Sequence, residues 1–146
     1  PGGDLRRASF TDGGRPIEVT VLSMGNPHCV VFVDEPADDR LVSTIGPRIE
    51  THEAFPERTN VEFVYAESPT RLRQRTWERG AGETLACGSG ACAVAVAAAV
   101  TDRAHRKLTI ELLGGELDLH WRESDSHVVM TGPATEVFAG EWAKAI

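Results

Sequence analysis

The sequence predicts an α+β fold in which mostly antiparallel and mixed β-strands wrap one central, buried, apolar helix. Three observations carry this expectation. From Ala86 to Thr101 the chain reads ACGSGACAVAVAAAVT, with no charge between Cys87 and Thr101. Alanine is the strongest helix former, and a helix apolar on every face must be buried on every face. Short β-branched or alternating runs lie before and after this segment, and they supply the cover. The 146 residues are 41% hydrophobic and 25% charged, the size and balance of one ordinary globular domain. Aromatics make up only 6%, so the core must rest on Val, Ala, Leu and Ile.

The elements follow in order. Residues 1–16 are polar and rich in Gly and Arg, and read as a lead-in or a short edge hairpin. Ile17 to Leu22 (IEVTVL) alternates and is β-branched, which predicts a strand. Gly25-Asn26-Pro27 is a turn signal. Cys29 to Val33 (CVVFV) is a continuous apolar run, expected as a buried strand. Asp38 to Thr51 places Leu41, Ile45 and Ile49 four apart, a helical spacing, and Pro47 inside it is expected to kink or split the helix. Val61 to Ala66 and Leu72 to Trp77 read as strands, followed by the Gly80-Ala81-Gly82 turn and then the apolar helix. Leu108 to Leu113, Glu116 to Trp121 and His127 to Met130 read as closing strands, with a short fourth at Val137-Phe138.

Composition narrows the function. A net charge of −7 with only two lysines, Lys107 and Lys144, argues against a nucleic-acid backbone as partner. The three cysteines, Cys29, Cys87 and Cys92, are odd in number and lack paired spacing, so a disulfide framework is not expected and a reducing cytoplasm fits. The longest fully apolar run, Ala91 to Val100, is too short to span a bilayer. The opening PGGDLRRASF has no apolar signal-peptide core; it starts with Pro rather than Met, which reads as a piece of a longer protein. Zinc-ligand spacings and the Gly-Lys-Ser/Thr of a phosphate loop do not occur in the sequence.

Cys87 is the expected reactive atom. It stands immediately before the apolar helix, in Cys87-Gly88-Ser89-Gly90. The first N–H groups of a helix have no internal partner, and its aligned dipoles put partial positive charge there. Both effects stabilise a thiolate, and both can hold a carboxylate. Gly88 and Gly90 clear side chains from the approach, and Ser89 adds a hydroxyl. A buried, inert thiol is the ordinary fate of a free cysteine; it is the expected one for Cys29, in an apolar strand, and for Cys92, inside the apolar helix. Papain-type and caspase-type nucleophile signatures do not hold: Gly90 replaces their second cysteine and Leu85 their glutamine.

Three motifs then converge: Met24-Gly25-Asn26-Pro27-His28-Cys29-Val30, Arg58-Thr59-Asn60-Val61-Glu62-Phe63, and Arg75 to Thr84 running into Ala86-Cys87-Gly88-Ser89-Gly90-Ala91. Their order and spacing resemble the C-terminal half of the diaminopimelate epimerases, from about Ile17 to the end, and the closing Met130-Thr131-Gly132-Pro133-Ala134 fits as well. The resemblance implies that residues 1–146 are the C-terminal domain of a two-domain epimerase, residues 1–16 leading in from an absent N-terminal half. It implies two-base chemistry without pyridoxal phosphate or a metal, interconverting LL- and meso-diaminopimelate, a diamino dicarboxylic acid, in a cleft between two pseudo-symmetric domains. Each domain presents one cysteine, Cys87 being the second, and the family is often dimeric.

The resemblance also implies roles. Asn26 and Asn60 would be substrate-binding amides. Glu78 would tune Cys87 and meet an ammonium of the substrate. Arg79 would clamp the distal carboxylate, and Gly88 and Ser89 would give N–H groups to the reacting one. His28 would partner the absent cysteine across the cleft. Taken singly, each has a plainer reading: Asn26 as a turn residue, His28 as a hydrogen-bonded loop histidine, Asn60 as a strand cap, and Glu78-Arg79 as an exposed pair. A sister isomerase, of the proline racemase or phenazine-biosynthesis type, and a ligand-binding domain without chemistry are the alternatives.

Overall fold

The structure is a computed structural model that describes residues 6–12 and 15–142. Nine strands in the described residues form one mixed sheet: β1 (Arg6–Asp12), β2 (Arg15–Ser23), β3 (Pro27–Val33), β4 (Asn60–Ser68), β5 (Arg71–Glu78), β6 (Gly82–Thr84), β7 (Lys107–Leu112), β8 (Gly115–Trp121) and β9 (Val128–Thr131). The order across the sheet is β1-β2-β3-β4-β5-β7-β8-β9. Helix α1 (Asp39–Glu50) links β3 to its parallel neighbour β4, and α2 (Gly88–Val100) lies between the parallel pair β5 and β7. The other ladders are antiparallel. One edge of β5 is divided: Arg71–Arg73 pairs with β7, and Thr76–Glu78 pairs with the short β6. The α+β class expected from the sequence is therefore the observed one. The edge-hairpin reading of the N-terminal segment is also the observed one, since β1 pairs with β2; residues 1–5 and 13–14 lie outside the described residues.

The sheet has a different partner on each face. Alternation along β3 sends Val30 toward α2, and Cys29 and Val31 toward α1, as period-2 side chains must. On the α2 side, Leu22, Val30, Val64, Leu72, Leu108, Ile110 and Leu119 close over the alanines of the helix. On the other side Val42, Ile45 and Ile49 of α1 pack on Val31, Val61 and Phe63. Strands β2, β3, β4, β7, β8 and β9 all touch α2, so the sheet curls around it. The helix ends in a Schellman-type turn, with Arg103 N–H on the Ala98 carbonyl (2.9 Å), Asp102 N–H on that of Ala99 (3.3 Å), and Asp102 in the left-handed region at φ 57°.

Four expectations need correction. Pro47 does not split α1: it lies in the last turn, where its missing N–H forfeits only one bond, and its carbonyl accepts from both the N–H and the hydroxyl of Thr51. The helix apolar on every face is not covered on every face. Cys92, Val96 and Ala99, one stripe at helical spacing, are half-buried and Val100 is exposed, because β2 and β9 both reach α2 without pairing to each other. Cys92 is accordingly less enclosed than its apolar surroundings imply. Val137-Phe138 forms no strand: 132–142 joins no ladder, and Val137, Phe138 and Trp142 are 87%, 85% and 94% exposed. In the described residues no helix is long and apolar enough to cross a membrane.

Candidate active site

Three chain segments converge on the N-terminus of α2. The first is the start of β3, whose parallel register sets His28 beside Asn60 of β4. The second is the tight β5–β6 connection. It carries Glu78 and Arg79 and turns through Gly80 and Gly82 at φ 77° and 82°, values that favour glycine. The third is Cys87 itself, the N-cap of α2, in extended conformation.

Two fixed points hold the β5–β6 turn. Glu50, at the end of α1, accepts from Trp77 Nε1 (2.7 Å), Gly80 N (2.9 Å) and Arg58 (3.4 Å). Burial pushes its carboxyl up, but these hydrogen bonds outweigh burial and hold its pKa below the ordinary value. Gly46 lets α1 lie directly against Trp77, since a Cβ there would be 2.8 Å from the tryptophan Cβ. Asn60 is the second point. Its Nδ2 donates to the Pro27 carbonyl (3.0 Å), and its Oδ1 accepts from Arg79 N (3.0 Å). One side chain thus ties β3, β4 and the turn together, leaving one amide hydrogen and one lone pair for anything else.

Cys87 is 8% exposed, yet polar groups surround its sulfur. Sγ lies 3.7 Å from Ser89 Oγ and receives the Gly90 N–H. The thiol's pKa is nevertheless raised. Burial is the largest cause; the Gly90 N–H and Ser89 hydroxyl pull the other way, and the charges of Glu78 and Glu62 add to the rise. The lowering expected of a helix start is present but outweighed. Cys29 is fully buried and its pKa is pushed far up by burial, then by the charge of Glu62; Cys92 is raised by burial, then by Cys87.

The remaining predicted residues fall around this sulfur. Asn26 Nδ2 donates to Ser89 Oγ (3.4 Å), and Asn26 Oδ1 meets His28 Nε2 at 3.1 Å. His28 is completely buried, its Nδ1 2.7 Å from Glu62 Oε1. Glu78 Oε1 accepts a short bond from Thr84 Oγ1, 2.5 Å, within the charge-assisted range. Arg79 is exposed at the rim, its guanidinium on the Glu57 carbonyl at 3.2 Å. Gly88 sits beneath Met130, whose Cε would be 3.2 Å from a Cβ there. Sequence reasoning missed Glu62, Gln74, Thr84 and Met130 as parts of this neighbourhood. An open groove of about 1050 Å³ lies between α1 and strands β2 and β3, lined by Ile17, Val31, Leu41 and Ile45. It contains none of these residues, so the chemistry rather than the volume marks the site.

Comparison with known proteins decides the family. A sequence model described as diaminopimelate epimerase matches residues 20–137. The chain belongs to the diaminopimelate epimerase family. It is 55% identical over 139 residues to the diaminopimelate epimerase of Synechococcus sp. (strain JA-2-3B'a(2-13)), covering 94% of this chain and 49% of that protein. It is 49% identical to the diaminopimelate epimerase of Heliobacterium modesticaldum, covering 97% and 50%, and 52% identical to the chloroplastic diaminopimelate epimerase of Oryza sativa subsp. japonica, covering 92% and 39%. This family member therefore spans half or less of the length of these relatives. In fold it resembles a hydroxyproline epimerase from Agrobacterium vitis (TM-score 0.62, 16% identity, 88% of this chain and 46% of that one). It also resembles a phenazine biosynthesis protein from Bacillus anthracis (TM-score 0.55, 20% identity, 88% and 39%).

Proposed function

We propose that this chain is the half of a diaminopimelate epimerase that supplies one of two catalytic thiols, Cys87, and one wall of the substrate cleft. The observation that carries this reading is the placement of the Cys87 sulfur. It sits at the tip of an apolar helix, under the Gly90 N–H and beside Ser89, with the Glu78 carboxylate near enough to raise its pKa.

The chemistry follows from that placement. The α-carboxylate of the substrate lies against the free N–H groups of Gly88 and Ser89, where the helix end favours an anion. This sets the α-carbon over Sγ. The α-ammonium comes to Glu78. Pairing cancels a charge that holds the thiol protonated, so binding itself favours the thiolate. The thiolate takes the α-proton, and the C–H electron pair moves into the carboxylate as an enolate, stabilised by the helix end in a dry site. A thiol of the other half returns a proton to the opposite face of the α-carbon, and the centre inverts. Arg79, exposed at the rim, takes the distal carboxylate in its bidentate fork. His28, expected to partner the other half's cysteine across the cleft, is completely buried and acts there through Asn26, whose Oδ1 meets its Nε2; Asn26 faces the substrate, and Asn60 contributes its remaining amide hydrogen.

The other half is also the partner this reading assigns to the bare apolar residues. Val137, Phe138 and Trp142 are almost fully exposed, and the relatives are about twice as long as the matched region. The test is solvent exchange with the full-length protein in D2O. Deuterium is expected at the α-carbon of diaminopimelate and not of proline or hydroxyproline; exchange confined to the proline substrates would overturn the assignment.

A further inference from the structure

Glu62 has no place in the chemistry above, yet it is the most unusual group near the sulfur. It lies on β4 between apolar neighbours and is completely buried. Its Oε1 is 2.7 Å from His28 Nδ1, and its Oε2 has no hydrogen-bond partner among the described residues. An ionised carboxylate with a bare, buried oxygen is costly. Glu62 and Cys87 also flank the same backbone atom: a Cβ on Gly90 would be 2.7 Å from Glu62 Oε1 and 3.2 Å from Cys87 Sγ. The titratable groups facing Glu62 are His28 from β3, Glu78 from β5, and Cys87 at the start of α2; Cys29 of β3 feels its charge from the opposite face of the sheet. Gln74 and Thr76 of β5 are buried, neutral, and bonded to each other at 2.9 Å.

Donor counting gives two consistent arrangements of the chain of contacts Glu62–His28–Asn26–Ser89–Cys87, with spacings of 2.7, 3.1, 3.4 and 3.7 Å. Where the His28–Glu62 pair holds two protons, one lies between Nδ1 and Oε1 and the other is on Nε2. Nε2–H then donates to Asn26 Oδ1, Asn26 Nδ2 donates to Ser89 Oγ, and the Ser89 hydroxyl donates to Sγ, which is a thiolate. Where the pair holds one proton, on Nδ1, Nε2 is an acceptor. The Asn26 amide must then turn over, its Oδ1 accepts from Ser89, and Ser89 accepts from the Cys87 thiol.

We infer that the His28–Glu62 pair and Cys87 hold a single negative charge between them, so that Glu62 is a positioning residue whose protonation governs thiolate formation at Cys87. The proton is conserved. Thiol and carboxylate on one side become thiolate and protonated pair on the other; because Asn26 carries no mobile proton, the exchange runs through solvent, and the contacts set only the polarity. The directions of the perturbed titrations agree: burial raises the Glu62 pKa, against the pull of His28, and burial raises that of Cys87, with the charges of Glu78 and Glu62 adding to it. The inference builds on Cys87 as the reactive thiol and adds a controlling group beneath it.

The test is the pH dependence of iodoacetamide labelling in the full-length protein, with Cys87 resolved from Cys29 and Cys92 by peptide mass. Glu62→Gln removes the competing charge and keeps the shape. The Cys87 labelling midpoint should move to lower pH; an unmoved midpoint overturns the coupling. A second measurement guards against a variant that fails to fold. By reciprocity the 13C signal of the Glu62 carboxyl in the unaltered protein should report the Cys87 titration as a second step that is missing in Cys87→Ala, and the same single step in both proteins overturns the inference. Labelling reads thiolate formation without turnover. It therefore separates failure of this coupling from failure of Cys87 as the base, which only the activity of Cys87→Ala decides.

Discussion

Two buried glutamates stand on opposite faces of the same sheet, and their surroundings differ in kind. Glu50, on the α1 side, receives hydrogen bonds from Trp77, Gly80 and Arg58, and its pKa is lowered. Glu62, on the α2 side, has one oxygen on His28 and the other bare, and its pKa is raised, chiefly by burial. The same side chain is a satisfied anchor in one place and an unsatisfied, titratable group in the other. The α1 face fixes where the Glu78–Arg79 turn sits. The α2 face keeps a proton in play beside a thiol. Buried polar groups are ordinarily paired; among the described residues the exceptions are Glu62 Oε2 and Gln74 Oε1, and both residues lie, with the Cys87 sulfur, around Gly90.

The largest effect expected from breaking this contrast is on the anchor. Glu50→Ala leaves the Trp77 indole N–H and the Gly80 N–H unpartnered and should destabilise the protein by about 2–4 kcal/mol, read as a lower urea midpoint. A loss below about 0.5 kcal/mol would mean that the turn is held elsewhere. The pH dependence sharpens the same comparison. A carboxyl whose folded pKa is lowered contributes stability present above its unfolded value, near 4.3, and lost as pH falls through the folded one. Glu50→Gln should therefore flatten the acid limb of a stability profile. Glu62 runs oppositely: with a raised folded pKa, its stabilising share is complete below the unfolded value and is lost as pH rises through the folded one.

A smaller effect is expected where α2 meets Glu62. Gly90→Ala places a methyl 2.7 Å from Glu62 Oε1 and 3.2 Å from Gln74 Nε2. Both groups are buried and bonded, so neither can move freely. About 1–3 kcal/mol of destabilisation is expected, with loss of the His28–Glu62 contact; a neutral substitution would show that this polar cluster is looser than drawn.

Much of this was legible in the sequence. The uncharged stretch after Cys87 was legible as a largely buried helix, and the runs at Ile17, Cys29, Val61, Leu72, Leu108, Glu116 and His127 all became strands, shifted by a residue or two. The spacing of Leu41, Ile45 and Ile49 located α1. Glu62 was not legible, because Val-Glu-Phe reads as a strand with one face in water; β4 is in fact covered on both faces, by α1 and by α2. Gln74 and Thr76 were hidden for the same reason. β6 is three residues long, too short for any periodicity. Val137-Phe138 has the composition of a strand and no ladder in this chain, since composition reports preference and not the presence of an edge. The open stripe over Cys92, Val96 and Ala99 depends on where the sheet stops curling, which no local pattern encodes.

The central claim is that the sulfur of Cys87 removes the substrate proton. In the full-length protein, with Cys29→Ala and Cys92→Ala as controls, interconversion of LL- and meso-diaminopimelate should fall by at least about a thousandfold in Cys87→Ala and persist in both controls. Interconversion that continues undiminished in Cys87→Ala would contradict the account.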